Sequence, residues 1–173
     1  TELKIVSTLL CNKRIVYLVP THALEYQVNL NLQRLVNRVV PIVGNVDGEF
    51  VMTDDEDEDP IMVMTPEHCL TVTRTTPKKL ENVGLVVFDE FHLVHGDATD
   101  TRAVDAMILV TMLLDLLPSA DYCFISAMVQ NGQEIAEWIQ TRTGRDCILL
   151  DNPWKPTSQL QGCLLYNKTA IEH

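Results

Sequence analysis

Short, continuous apolar runs separated by longer amphipathic stretches restrict the fold of this chain more than any other feature. The five runs are RIVYLV at residues 14–19, IMVM at 61–64, GLVVF at 84–88, YCFIS at 122–126 and CILL at 147–150. Apolar residues occupy consecutive positions in them, as in strands that are covered on both faces. The pattern predicts an α/β fold in which a mostly parallel sheet is flanked by helices on both faces.

The stretches between the apolar runs have helical spacing. A helix is predicted over roughly residues 21–37, where the recurring apolar positions are Leu24, Val28, Leu32, Leu35 and Val39. A second is predicted over residues 101–117, because this segment is strongly apolar and Pro118 ends it. Pro66 suits the first turn of a third helix. Met107, Met112 and Met128 are predicted to fill the core.

Two further helices are predicted near the ends of the chain. The first ten residues, TELKIVSTLL, place Leu3, Val6 and Leu10 on one helical face. Asn131 followed by Glu134 resembles a capping box, so a helix is expected to begin there. Its predicted buried side consists of Ile135, Trp138 and Ile139.

The length of 173 residues predicts one domain with a buried core. We assign residues 1–150 to that domain. Residues 151–173, which begin with the Pro-containing DNPWKPTSQ, are assigned to an exit linker or the start of a connection to a second domain. The first residue is Thr, so we expect the chain to be an excised or processed fragment.

The sequence also indicates the cellular compartment. No apolar run reaches the length of a membrane span, and the N-terminus has no signal-peptide pattern. The five cysteines are scattered and form no C-x-x-C pair, which argues against a disulfide framework or a zinc site. We therefore expect an intracellular protein of the cytoplasm or nucleus.

The formal net charge of −11 argues at first against a nucleic-acid partner. However, DDEDED at residues 54–59 supplies six of the 24 acidic residues, against 13 Lys and Arg, so the rest of the chain carries a net charge of −5. The run lacks the ligand spacing and central Gly of an EF-hand. We expect a solvated acidic loop that can point away from a binding face.

Polar or charged residues directly follow four of the predicted strands. These residues are Thr21, Thr65, Asp89 and Ser126. In an open parallel sheet, ligands bind beyond the carboxyl ends of the strands. The sequence therefore predicts that four separate turns converge on one edge of the sheet.

The motifs at these turns carry a specific resemblance. DEFH at residues 89–92 resembles motif II (Walker B) of the superfamily two DExH-box helicases. VPTHAL at 19–24 resembles motif Ia, MTPEHCL at 64–70 resembles motif Ib, and ISAMVQNGQEIAEWI at 125–139 resembles motif III with its following helix. Order and spacing match most closely the Ski-like branch of that family, over most of the chain. The resemblance implies a RecA-like P-loop NTPase fold, namely the first motor domain of an ATP-dependent helicase or translocase.

The same resemblance implies roles for the acidic motif. Asp89 is the implied Mg²⁺ ligand, Glu90 orients and deprotonates the attacking water, and His92 links the nucleotide site to motif III. Independently of the family, Mg²⁺ is typically held by a carboxylate together with substrate phosphates and waters. Phosphoryl transfer depends mostly on positioning and charge neutralisation, which two carboxylates and a metal supply in part. Taken without the other motifs, the acidic pair would be interpreted as a solvated strand end.

The other motifs imply contacts with a partner and coupling to hydrolysis. Thr21, His22, Thr65 and Glu67 belong to turns that, by resemblance, bind the backbone of DNA or RNA, and Ser126 with Ala127 forms the coupling motif III. Hydroxyls, backbone N–H groups and helix N-termini bind phosphates without net positive charge. The same Thr residues can also cap helices, and both roles can hold at once. ATP and Mg²⁺ are the implied cofactors of the full-length parent.

Two departures from the family pattern lower the expected activity of the chain alone. A Gly-Lys-Thr phosphate-binding loop is absent from the sequence, and TELKIVSTLL resembles the helix that would follow such a loop. Met128 stands where motif III usually has a second hydroxyl. A second RecA-like domain with its arginine finger is also missing. We expect the isolated chain to be inactive.

Two alternative interpretations remain open. A non-catalytic helicase-like scaffold would keep the shape and lose turnover, as the acidic loop and Met128 suggest. A Mg²⁺-dependent nuclease or phosphatase would need further carboxylates at other strand ends, and the sequence does not supply them.

Overall fold

A computed structural model describes residues 1–44, 59–93, 100–126 and 131–151. Within these ranges the elements are α1 (Glu2–Leu10), β1 (Arg14–Leu18), α2 (His22–Gly44), β2 (Ile61–Met64), α3 (Pro66–Thr75), β3 (Val83–Phe88), α4 (Thr101–Leu116), β4 (Asp121–Phe124) and α5 (Gly132–Thr143), with short 3₁₀ turns at Pro77–Leu80 and Phe91–Leu93. The acidic run at 54–58, the motif III residues 127–130 and the predicted linker at 152–173 lie outside the described residues.

The described strands form one sheet in the order β2-β1-β3-β4, and every neighbouring pair is parallel. In the centre of the sheet, Ile15 of β1 pairs with Ile61 of β2 on one side and with Leu85 of β3 on the other. The predicted α/β class and parallel sheet are confirmed. All four carboxyl ends therefore lie at the same edge.

Helices cover both faces of the sheet, as predicted. On one face, Ile15, Leu85 and Val87 pack against Ile5 of α1 and Val36 of α2. The other face packs against α3, α4 and α5, and its buried residues include Val16, Leu18, Val86, Phe88, Cys69, Leu109 and Leu113. All six residues of β3 are buried because this strand is central and has a helical layer above and below it. This double burial explains the continuous apolar run before Asp89.

Most predicted element positions are confirmed, with local shifts in their bounds. β2 spans the predicted residues, and Pro66 opens α3 as expected. α2 extends beyond the predicted residue 37 to Gly44, and β4 ends two residues before Ser126. None of the described helices has the combination of length and apolar composition that a bilayer crossing needs.

Three local predictions are wrong. CILL at 147–150 forms no strand, and Ile148 and Leu150 are 80% and 89% exposed, because a short apolar run forms a strand only where a neighbouring strand pairs with it. In α1 the buried residues are Ile5, Val6 and Thr8, whereas Leu3 and Leu10 are exposed. The buried face is set by the side of the helix that meets the sheet, and the sequence does not reveal that side.

The other two errors concern α4 and α5. Met107 is 44% exposed and lies outside the core. Met112 is partly buried and packs against the core, as predicted. α4 is apolar on most of its surface, so hydropathy alone could not distinguish its buried face. Asn131 is the N-cap of α5, but its side chain makes no capping hydrogen bond, so the predicted capping box does not form.

Candidate functional site

The turns after β1, β2, β3 and β4 are joined by main-chain hydrogen bonds at one edge of the sheet. The Val19 N–H donates to the Met64 carbonyl at 3.0 Å, and the Asp89 N–H donates to the Leu18 carbonyl at 2.9 Å. The Ile125 N–H donates to the Phe88 carbonyl at 2.9 Å. This ladder continues the sheet one residue past the ends of β1, β3 and β4. Thr21, Thr65, Asp89 and Ser126 therefore lie at the same edge.

Asp89 and Glu90 leave the sheet in a tight turn at the end of β3. Glu90 has φ of +55°, a left-handed conformation that is uncommon for a residue with a side chain. Its N–H donates to Oδ1 of Asp89 at 3.0 Å. Both residues are half-buried at this edge. The strained turn directs the chain away from the sheet immediately after the buried strand.

His92 lies one short turn further on. Its Nδ1 is 3.0 Å from Oε2 of Glu90, although Nδ1 makes no hydrogen bond of good geometry among the described groups. The turn itself is anchored by Phe91, whose N–H donates to the Ile125 carbonyl at 2.8 Å. The Phe91 ring packs on Phe124 with centroids 4.6 Å apart. These contacts fix the acidic turn against the segment that follows β4.

Tyr17 of β1 hydrogen-bonds to the Asp89 side chain. Burial, followed by the nearby negative charge of Asp89, raises the pKa of Tyr17 to about 12. The phenol is therefore protonated at neutral pH and donates to the carboxylate. Tyr17 thus holds Asp89 from the neighbouring strand.

Thr21 and His22 occupy the turn between β1 and α2. Thr21 is exposed, and its carbonyl accepts from the Leu24 N–H at 3.0 Å in the first turn of the helix. His22 is also exposed, and its Nδ1 lies 3.0 Å from Oε2 of Glu25. Both side chains are accessible at the edge of the sheet.

Thr65 and Glu67 begin α3. Thr65 is 3% exposed, and its hydroxyl accepts from the His68 N–H at 3.3 Å, which makes it the N-cap of the helix. Burial opposes ionisation of Glu67, but hydrogen bonds from Arg102, the backbone and Thr65 outweigh it and hold the Glu67 pKa below its usual value. The hydroxyl of Thr65 therefore accepts from the His68 N–H and donates to the Glu67 carboxylate.

Arg102, in the first turn of α4, contacts both of these turns. Its Nε donates to Oε1 of Glu67 at 2.7 Å, and its Nη2 donates to the Pro20 carbonyl at 2.8 Å. Asp100, the N-cap of α4, accepts from the Arg102 N–H at 3.0 Å. Arg102 thus connects the starts of α3 and α4 to the end of β1.

Ser126 lies two residues beyond β4 and is exposed at the same edge. Ala127, the second predicted residue of motif III, lies outside the described residues. The structure therefore brings together eight of the nine predicted site residues, namely Thr21, His22, Thr65, Glu67, Asp89, Glu90, His92 and Ser126, along one edge of the sheet.

The donor set at this edge fits a cation that takes few protein ligands. Within the described ranges, no cluster of three or more His, Cys, Asp or Glu side chains could hold a metal by itself. Mg²⁺ commonly binds one or two carboxylates and completes its shell with waters and substrate phosphates. Asp89 and Glu90 at the end of a strand suit that mode and do not suit an all-protein cage.

Sequence reasoning missed Tyr17 and Arg102. Tyr17 is the one residue with a hydroxyl in the otherwise apolar segment 15–19, which was a signal that one position faces a polar group. Arg102 is a cation in the first turn of a helix, where the helix dipole disfavours it. Such a placement indicates that the residue makes a stabilising contact outside its own helix.

The chain matches the family model of the DEAD/DEAH box helicases over residues 2–135, which include all the turns described above. It is 26% identical over 162 residues to the ATP-dependent DNA helicase Hel308 of Thermoplasma volcanium, covering 91% of this chain and 22% of that protein. It is 27% identical to the ATP-dependent DNA helicase MER3 of Saccharomyces cerevisiae, covering 75% of this chain and 11% of that protein. The chain thus spans about a fifth or less of the length of these relatives.

A solved structure shows the same fold. Helicase Lhr of Mycobacterium smegmatis, solved with single-stranded DNA and AMP-PNP, superposes with a TM-score of 0.52 and 24% identity, covering 72% of this chain and 18% of that chain. Together with the family match, this places the four-stranded sheet among RecA-like helicase domains. The chain belongs to the DEAD/DEAH box helicase family.

Proposed function

We propose that the chain is part of the first RecA-like motor domain of a DExH-type, Ski-like helicase that uses ATP with Mg²⁺ to move along or remodel a nucleic acid. The observation that carries this proposal is the Asp89–Glu90 turn, held at the end of the central strand between the turns that follow β1 and β4. Residues 1–150 would form the domain and 151–173 the connection to a second RecA-like domain. The proposed compartment is the cytoplasm or the nucleus.

The acidic turn supports a division of labour between its two carboxylates. Asp89, held by Tyr17 and by the Glu90 N–H, has a fixed orientation suited to a metal ligand. Bound Mg²⁺ would neutralise charge on the phosphates. Glu90 projects from a strained turn and is half-exposed, so it can orient a water and accept its proton. His92 lies beside Glu90 and belongs to the turn anchored on the Ile125 carbonyl, so it is placed to relay changes toward Ser126.

The nucleic acid is proposed to lie along the turns after β1 and β2. Thr21 and His22 are accessible there, and Thr65 caps α3, whose N-terminal N–H groups can bind a phosphate. Because such contacts use neutral donors, they are compatible with the net charge of −11. DNA is the first polymer to test because Hel308 and MER3 are DNA helicases. RNA of the same sequence is the comparison.

The decisive experiment measures ATP hydrolysis by the full-length gene product with and without single-stranded DNA or RNA. Asp89→Asn and Glu90→Gln are expected to abolish stimulated hydrolysis while leaving nucleic-acid binding largely intact. Asp115→Asn on the far end of α4 is the matched control, because Asp115 pairs with Arg142 away from the acidic turn. Retained turnover in either site variant would remove our assignment of the base or the metal ligand.

The isolated 173-residue chain is expected to release no phosphate from ATP, because its sequence contains no Gly-Lys-Thr or Gly-Lys-Ser loop. Steady hydrolysis by the pure chain would contradict this expectation. If the full-length wild type bound nucleic acid but hydrolysed no ATP, the motor proposal would fail and the non-catalytic scaffold would replace it.

A further inference from the structure

Arg102 makes a connection that the proposed chemistry does not require. Its guanidinium joins the Glu67 carboxylate at the start of α3 to the Pro20 carbonyl at the end of β1, while its own N–H is capped by Asp100. One of these segments directly precedes the turn after β1 and the other directly follows the turn after β2, and these are the turns at which we place the nucleic-acid backbone. A cation in the first turn of α4 works against the helix dipole, so its position is explained by these outward contacts.

The geometry of the guanidinium suits this connection. Two different nitrogens of Arg102 donate to two acceptors on separate elements, at 2.7 Å and 2.8 Å. The planar, rigid fork of Arg fixes the relative position of two acceptors, whereas the single ammonium of Lys holds them less well. Glu67 cannot itself accept a hydrogen bond from a phosphodiester, and its negative charge would repel one. Pairing with Arg102 offsets that charge.

We propose that Arg102 is a positioning residue that fixes the turn after β1 relative to the N-terminus of α3, so that both turns face the same nucleic-acid strand. This inference rests on the proposed function. It assigns the Glu67 carboxylate to the connection with Arg102 and leaves the phosphate contacts to the backbone and Thr21. Loss of the connection lowers nucleic-acid affinity without changing the nucleotide site at Asp89 and Glu90.

The competing explanation is that Arg102, being about half exposed, binds a phosphate directly. Glu67→Gln separates the two because they predict opposite signs. If Arg102 positions the turns, loss of the Glu67 carboxylate weakens binding. If Arg102 binds phosphate, the same change frees the guanidinium and removes a nearby negative charge, so binding stays equal or tightens.

The experiment measures the affinity of the full-length gene product for fluorescein-labelled single-stranded DNA by anisotropy, over a range of salt concentrations. Arg102→Gln and Glu67→Gln are each expected to weaken binding roughly fivefold to tenfold, a typical size for coupling between packed elements. The double variant is expected to be no weaker than Arg102→Gln, because both changes break the same contact. Arg102→Lys is expected to restore only part of the affinity. The dependence on salt should keep its slope in all variants, because no phosphate contact is lost.

Arg142→Gln is the matched control. Arg142 of α5 donates to Asp115 at 2.6 Å, so it also forms an exposed Arg–carboxylate pair, but its partner lies at the opposite end of α4 from Arg102. Its DNA affinity should equal that of the wild type. The half-saturating ATP concentration without DNA should be the same in the wild type, Arg102→Gln and Arg142→Gln, which a general loss of structure would not allow.

Each outcome decides one of the two proposals. A wild type that binds neither DNA nor RNA overturns the proposed function, and this inference with it. A wild type that binds while Arg102→Gln behaves like Arg142→Gln overturns the positioning role alone. Unchanged or tighter binding by Glu67→Gln, or a shallower salt slope for Arg102→Gln, assigns Arg102 to direct phosphate contact instead. If Arg102→Gln does not fold, Glu67→Gln and Arg102→Lys decide the question.

Discussion

Replacing Glu90 by Gly should stabilise the protein relative to Ala at the same position, while both variants lack ATP hydrolysis. Glu90 has φ of +55°, and any side chain in this left-handed region brings Cβ too close to the neighbouring carbonyl oxygen. Gly has no Cβ and adopts the conformation readily. The proposed catalytic base thus sits at a position where the backbone favours a residue that cannot do chemistry.

The size of the effect follows from two opposing terms. Removing Cβ relieves roughly 1–2 kcal/mol of backbone strain. Gly has more conformational freedom than Ala in the unfolded chain, which lowers the free energy of unfolding by about 0.5–1 kcal/mol and opposes this gain. Glu90→Gly and Glu90→Ala both lose the contact with His92, so this contact cancels in the comparison. We expect Glu90→Gly to exceed Glu90→Ala by about 0.5–1 kcal/mol in free energy of unfolding.

Urea denaturation of the 173-residue chain followed by circular dichroism measures this difference. Glu137, exposed in the middle of α5, supplies a control of opposite sign. There Gly should be less stable than Ala by about 1 kcal/mol, because the position is helical. If Glu90→Gly were as unstable as Glu90→Ala, or less stable, the argument from backbone strain at the acidic turn would be refuted.

Two further outcomes test the core. Leu109 of α4 is fully buried, so Leu109→Ala should lower the free energy of unfolding by about 2–5 kcal/mol. Leu116→Ala, at the half-exposed end of the same helix, should lower it by less than about 1 kcal/mol. Similar losses for the two variants in urea denaturation would contradict the assigned buried face. Burial raises the pKa of the Cys69 thiol to about 12 from an ordinary value of 9.0, so the folded state retains a proton that the unfolded chain releases. Stability should hold below about pH 9 and fall as the pH rises toward 12. Cys69→Ala should flatten the fall between about pH 9 and pH 12, whereas Cys11→Ala on the surface should leave it unchanged. An equally steep fall without Cys69 would disprove this origin.

The strands could be predicted from the sequence because a strand that is buried on both faces is apolar at nearly every position. GLVVF is apolar at every position because the central strand β3 has helices above and below it. CILL is also apolar at every position, yet the described residues provide it with no partner strand, and most of it is exposed. An apolar run therefore indicates a strand only when a neighbour is available, and the neighbour is not a local property of the sequence.

The sequence also predicted which turns share an edge, but not the contacts among them. Parallel strands make that prediction possible, since all their carboxyl ends meet on one side. Tyr17 reaches Asp89 only because β1 and β3 are neighbours in the sheet, and the contact between Arg102 and Pro20 depends on where α4 packs relative to the end of β1. Strand order depends on how the connecting helices cross over the sheet, which periodicity in one chain does not specify.

The strand order also explains how the acidic turn could respond to both proposed ligands, ATP with Mg²⁺ and a nucleic acid. β3 lies between β1, whose turn offers Thr21, and β4, whose turn offers Ser126, whereas β2 lies outside β1 at the margin of the described sheet. Asp89 is therefore bonded through its N–H to β1, and Phe91, two residues later, is bonded to the segment after β4. A shift of either neighbouring turn should therefore change the backbone conformation of Glu90, which lies between Asp89 and Phe91. In a protein that couples ATP hydrolysis to movement along a nucleic acid, this strained residue is where the two events would meet.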